Sequence, residues 1–108
     1  TAGDFPLWLS PIQAVIVPIA DRHLEYAQKV AAEMRKNKLR VEIDDRSERM
    51  NAKIRDAELQ KIPLILVVGD KEAEAGAVNV RERHVKEQRT LAIAALIDEM
   101  KQRIEARK

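Results

Sequence analysis

The sequence predicts an α/β fold: a mixed, mainly parallel sheet of about five strands flanked by three helices, in the order βαβαββα with a short extra strand before the last helix. Three observations predict it. The runs QAVIVPI (residues 13–19) and LILVV (64–68) are short, apolar and largely β-branched, as strands buried on both faces are. Stretches with apolar residues at helical spacing follow the first run and separate it from the second. The turns between them are short, so the strand–helix–strand units close as right-handed crossovers onto a parallel core.

Taken in order, residues 13–19 form the first strand. Pro18 lacks a ladder donor, so that end is expected at an edge or leaving the sheet. Asp21 is the expected N-cap of the next helix, whose buried stripe is Leu24, Ala27, Val30, Ala31 and Met34. Arg35, Lys36 and Lys38 cluster at its C-terminus, where the helix dipole favours cations. LRVEID (39–44) alternates as a half-buried strand does. Ser47 is the expected cap of a second helix over 48–61, and Pro63 stops it. Residues 64–68 make the third strand and Gly76 a turn. VNVRERHV (78–85) reads as a fourth strand, with Val78 and Val80 on one face and Asn79, Arg81 and Arg83 on the other. Thr90 is the expected cap of the last helix, with Ile93, Leu96, Ile97, Met100 and Ile104 as its buried stripe.

The 108 residues make one domain, with residues 1–8 reading as a linker remnant and 9–108 as the folded unit. With no cysteine, disulfides, thiolate zinc sites and a cysteine nucleophile are excluded. No apolar run approaches the ~20 residues of a membrane span, so no membrane partner is expected. The net charge of +2 argues little by itself, but 35% of the residues are charged and they gather in loops and on the second helix. With one Phe, one Trp and one Tyr, stacking of bases on aromatic platforms is not the expected mode of any single-strand binding.

In an open α/β sheet, ligands bind beyond the carboxyl ends of the parallel strands. Three loops meet there: Asp21-Arg22-His23, Asp44-Asp45-Arg46-Ser47 and Gly69-Asp70-Lys71-Glu72. The second leads into the basic helix, whose first turn offers free N–H groups beside Arg46 and Arg49, an anion site. On the helical wheel Arg49 and Lys53 are neighbours while Arg55 lies apart, which suits a long polyanion better than one small ligand. Catalytic constellations are lacking: Ser47 and Thr90 are explained as caps, and His23 and His84 are far apart. Asp44-Asp45 could hold a metal or act as an acid–base pair; a local ion pair with Arg46 is the ordinary alternative. Glu72 with Arg81 and Arg83 is the more informative set. A carboxylate can accept two hydrogen bonds from the edge of an unpaired guanine, and an arginine can donate to a base or a phosphate. A surface ion pair between them is the competing explanation.

Three segments, FPLWLSPIQAVIVPIAD (5–21), VEIDDRSERMNAKIRDAELQKIP (41–63) and LVVGDKEAEAGAVNVR (66–81), resemble the C-terminal anticodon-binding domain of bacterial threonyl-tRNA synthetases. The resemblance implies a non-catalytic module that binds the anticodon stem-loop of threonine tRNA in the cytoplasm. It is joined to a catalytic domain of the same polypeptide that would carry ATP, magnesium and zinc; no cofactor is expected in this chain. Position by position, it implies that Glu72 reads the middle anticodon guanine and Arg81 contacts neighbouring bases. Arg55, Lys53 and the Arg46–Arg49 segment would line the loop and its backbone. Ser47 stands where an asparagine is usual, and Asn51 where a glycine is. After Arg83 the family's two glycines are absent, so a tight turn there has to be rebuilt without them. A protein-interaction module that kept the fold and lost its reading surface is the alternative.

Overall fold

The computed structural model describes residues 4–108. The chain runs β1 (Ala14–Pro18), α1 (Leu24–Lys36), β2 (Val41–Ile43), α2 (Met50–Leu59), β3 (Leu64–Val68), α3 (Asp70–Ala75), β4 (Ala77–Glu82), β5 (Arg89–Ala92) and α4 (Ile93–Glu105). One sheet has the order β2-β1-β3-β4-β5. The first three strands are parallel; β4 and β5 are antiparallel to their neighbours. The expected α/β architecture is present, with α3 as a fourth, short helix at the turn read around Gly76.

The two faces of the sheet differ. Ile16, Leu64, Leu66, Val68, Val78 and Val80 face α1 and α4 and form the larger core with Val30, Met34, Leu96 and Met100. Leu7, within the stretch read as a linker, is buried in that same core. On the opposite face Val15, Val17, Ile65 and Val67 pack under α2, against Ile54 and Ala57. Both central strands are therefore apolar on both sides, which is what their unbroken β-branched runs indicate. Gln13 is almost wholly buried and satisfied: its Nε2 donates to the Leu7 carbonyl at 3.1 Å and its Oε1 accepts the Arg40 N–H at 2.9 Å. It thereby fastens the segment before β1 to the strand entering β2.

Pro18 pairs with Val68, yet its missing donor disrupts nothing. Ile19 N–H bonds Val68 on the β3 side, so by alternation the Pro18 nitrogen faces the β2 side. There β2 has already ended, its last rung being Ile16↔Ile43.

Three expected caps are not caps. Asp21 lies in a 3-10 turn ahead of α1, and the Ala20 N–H is accepted by the ring of His23 at 3.1 Å. Ser47 lies two residues before the cap, because the Asp44 carboxylate accepts the Arg46 N–H and holds residues 44–46 in a local turn, leaving Arg49 at the cap. Thr90 is drawn into β5 opposite Asn79, and α4 begins only at Ile93. Pairing across the sheet overrides the local preference. β4 likewise stops at Glu82, where Val85 N–H bonds the Glu82 carbonyl at 3.1 Å. His84 takes φ 68° in this turn, so the geometry that glycine would supply is adopted by a residue type that tolerates it.

Gly76 ends α3 at φ 64°, with no atom within 4 Å of where a Cβ would stand. Gly76→Ala should therefore cost about 1–2 kcal/mol through backbone strain alone. Urea unfolding of the two proteins measures this, and an unchanged midpoint would contradict it.

Candidate nucleic-acid interface

The three loops expected to meet at the carboxyl edge do so, and two are bound together. Asp70, at the start of α3, receives both Arg22 Nε (3.2 Å) and Arg22 Nη2 (2.9 Å). His23, 4% exposed, approaches it to 2.6 Å through Nε2. Because His23 Nδ1 accepts the Ala20 N–H, the ring's proton sits on Nε2 and is donated to Asp70. This lock closes the β1/β3 position, where a sheet of this strand order otherwise opens a crevice. Both donors hold the Asp70 carboxyl well below the usual carboxylate range, Arg22 contributing most. The lock is absent from the sequence-based expectations, although DRH after β1 and GD after β3 are the signal for it.

The crevice that remains lies between the first and second loops. It has a volume of about 380 Å³ and is lined by Ile19, Asp21, Arg46, Ser47, Arg49 and Lys53 among others. Four predicted site residues thus come together, but they are not equally available. Lys53 is 5% exposed, and its Nζ donates to the Asp44 carbonyl at 3.0 Å. Its ammonium ties α2 to the end of β2, so it is largely committed within the fold rather than free at the surface. Arg46 donates from Nε and Nη2 to Asp44 (2.9 and 2.7 Å), and its Nη2 lies 2.8 Å from an Asp56 oxygen. The ordinary explanation of the Asp44 acid therefore holds, and its carboxyl is lowered chiefly by Arg46. Among the described residues, no ion pair engages Arg49, which lines the crevice, or Arg55, which lies on α2 outside it.

Glu72 and Arg81 are placed differently. Glu72 lies just past the end of β3, its Oε1 accepting the Gly69 N–H at 2.8 Å. It also stands near Tyr26: burial and then the Glu72 charge push the tyrosine hydroxyl up. A Cβ at Gly69 would come within 2.6 Å of Ile19 Cδ1, the tip of a half-exposed side chain that can turn aside. Arg81 pairs with Ile65, three residues before the end of β3, on the α2 face. At about 3.3 Å per residue its backbone lies about 10 Å down the strand. The side chain is held by Asn79, whose Oδ1 accepts from Arg81 Nε at 3.1 Å. No hydrogen bond or ion pair joins Glu72 to Arg81 among the described residues.

Arg83 does not belong with them. It sits at the opposite edge of the sheet, where its Nη1 donates to the Lys61 carbonyl and its Nη2 to the Phe5 carbonyl, both at 2.6 Å. Its Nε lies 3.2 Å from an Asp4 oxygen, close enough for charge attraction but off line for a hydrogen bond. Arg83 straps the first described residues to the end of α2. The set of Glu72, Arg81 and Arg83 is thus split because β4, which carries Arg81 and leads on to Arg83, runs away from the rim.

What remains is an open polar surface. α2 covers β1 and β3 but leaves β4 and β5 bare on its side of the sheet. Asn79 and Arg81 of β4 and Thr90 of β5 occupy that face. No cluster of three or more residues suited to a metal ion occurs among the described residues, and no described helix is long and apolar enough to cross a membrane.

The site is thus a parallel-then-antiparallel five-stranded sheet with one open polar face, and on the helix beside that face Arg49 and Arg55 have no ion-pair partner among the described residues. The chain belongs to the family described as the anticodon binding domain, whose pattern matches residues 13–103. It is 58% identical over 101 residues to a threonine–tRNA ligase of Sulfurihydrogenibium sp. (strain YO3AOP1), covering 94% of this chain and 16% of that protein. It is 52% identical over 97 residues to the threonine–tRNA ligase of Thermus thermophilus, covering 90% of this chain and 15% of that one. The chain thus spans about one-sixth of the length of these relatives. The RNA binding domain of threonyl-tRNA synthetase from Cryptosporidium parvum Iowa II superposes with a TM-score of 0.89 at 33% identity, covering 93% of this chain and 25% of that one.

Two outcomes are expected. The Asp70 carboxyl is lowered on folding, so its contribution to stability is present above the unfolded value of about 3.9 and is lost as pH falls towards the folded value. Asp70→Asn should therefore destabilise the protein at pH 7, with the difference from wild type shrinking below about pH 4; parallel urea titrations at several pH values read this. Lys53→Ala should cost about 1–3 kcal/mol by removing the charged, part-buried hydrogen bond to the Asp44 carbonyl. A stable variant with weakened RNA binding would restore the phosphate role instead.

Proposed function

We propose that this chain is the anticodon-binding domain of a threonine–tRNA ligase and that it holds the anticodon loop of threonine tRNA against the open face beside α2. Membership of the family and the similarity to threonine–tRNA ligases support this reading. The observation that carries the mechanism is that Arg81 lies on the bare polar face of the sheet, about 10 Å down the strand from the carboxyl end of β3, and Glu72 stands just past that end. Glu72 accepts from the Watson–Crick edge of one unpaired base, a guanine at the middle position, and Arg81 donates to a neighbour. Arg49 and Arg55, without ion-pair partners among the described residues, take the phosphates of the loop and stem, while Arg46 and Ser47 shape the crevice beside Arg49.

In this reading the chemistry lies elsewhere in the parent polypeptide, in a catalytic domain that uses ATP and magnesium and carries zinc. This domain selects the tRNA for it in the cytoplasm. The alternative is a fold retained without its reading surface, motivated by the missing glycines; the turn formed around His84 at positive φ supports the first reading over it.

The division of labour is testable with labelled anticodon stem-loops. Glu72→Ala should lose about 1–3 kcal/mol of discrimination against an altered middle base, with little change in salt dependence. Arg49→Ala should weaken all sequences alike and lower the slope of log Kd against log salt by about 0.7. Equal losses for both variants on every RNA would reject it.

A further inference from the structure

Below Arg81 the open face continues into a cleft between α2 and the turn joining β4 to β5, with a volume of about 640 Å³. Its floor is aliphatic: Ile54 and Ile62 from the α2 segment and Ile65 from β3, each with a small exposed remnant. Val85, 49% exposed, forms part of the far rim. Around the mouth stand Arg81, Lys61 and Lys86. The acids in the lining are mostly committed. Asp4 is matched by Arg83 and His84, and Glu82 by Arg103 at 3.2 Å. Among the described residues Glu58 is the one lining acid without an ion-pair partner, and Lys61, Arg81 and Lys86 are the lining cations without one. The cleft is therefore apolar within and cationic at the rim, and Arg81 belongs to both it and the polar face above.

We propose that this cleft is a second nucleotide subsite: one unpaired nucleotide of the bound RNA lies with its base on Ile54, Ile62 and Ile65 and its flanking phosphates against Lys61 and Lys86. The proposal rests on the RNA-binding reading above and extends its footprint past the Glu72 rim. Three features fit a nucleotide. The volume lies within the ~300–1,000 Å³ range of small-ligand sites. The floor offers flat apolar contact to any base, so the subsite adds affinity rather than sequence choice. The two lysines are point charges suited to phosphate rather than to a base edge. Arg81 is held by Asn79 at the boundary, so one strand passing it reaches both regions. The exposed β4–β5 turn, with His84 at positive φ, brings Val85 and Lys86 to the rim.

The test compares the double charge reversal Lys61→Glu/Lys86→Glu with a control of equal charge change on the α1 and α4 surfaces, Lys29→Glu/Lys101→Glu. All four lysines are exposed. With the threonine anticodon stem-loop, the cleft variant should bind roughly tenfold more weakly than the control, and its salt slope should fall by about 1.4, or 0.7 for each phosphate no longer neutralised. A 4-thiouridine moved through the loop should crosslink from one position to the peptide containing residues 81–88. Equal affinity and slope for the two double variants, with wild type binding normally, would overturn the subsite and leave the anticodon reading intact. Failure of wild type to bind the stem-loop at any salt would overturn both.

Discussion

The structure turns on where the chain stops making crossovers. Parallel neighbours need a helix carried across the sheet, and each such helix covers a face. β1 to β2 takes α1 over one face, and β2 to β3 takes α2 over the other. After β3 the chain reverses through the six-residue α3 and the sheet continues antiparallel. No further helix is then available for the α2 side, and α4 returns to the face already held by α1. Half of one sheet face is left open by topology. The residues placed there, Asn79, Arg81 and Thr90, are polar, whereas their neighbours Val78 and Val80 on the covered face are among the most buried in the protein.

That open face acquires its chemistry by subtraction. Many of the chain's twenty basic residues are spent on its own architecture. Arg40 donates to the Ser10 and Trp8 carbonyls, Arg83 to those of Lys61 and Phe5, and Lys53 to that of Asp44. Arg22 and Arg46 are engaged by carboxylates, and Arg89 pairs with Glu99. Of those with no ion-pair partner among the described residues, Arg49, Arg55, Lys61, Arg81 and Lys86 lie along α2 and the β4–β5 hairpin, while Lys29, Lys38 and Lys71 lie elsewhere. A net charge of +2 conceals this, because the sum does not distinguish a guanidinium facing solvent from one already satisfied.

The fold was legible because its signals are local. β-branched runs, helical stripes and the alternation of residues 78–81 each mark an element or a face within a few positions, and the packing follows them. The caps were less legible: Asp21, Ser47 and Thr90 are competent in isolation, but a histidine ring, an Asx turn and a strand partner compete for the same backbone. The site was legible in part. The loops that converge could be named from strand order, and Arg49 does line the crevice between two of them, whereas Arg81 lies further down on the open face. Which cations are free could not be read. Arg83 is committed to Asp4 and Phe5, nearly the whole chain away, and Asp70 to Arg22 and His23 across the sheet. Such pairings exist only once the sheet is assembled.

The central claim is that RNA contacts the α2 side of the sheet and its carboxyl rim, not the side covered by α1 and α4. Backbone amide chemical shifts of the isotopically labelled protein, followed during titration with the threonine anticodon stem-loop, test it most directly. The account predicts shifts concentrated at Arg49, Arg55, Glu72, Asn79, Arg81 and Thr90, with α1 and the exposed side of α4 unmoved. Shifts concentrated on α1 and α4, with those six positions silent, would contradict it.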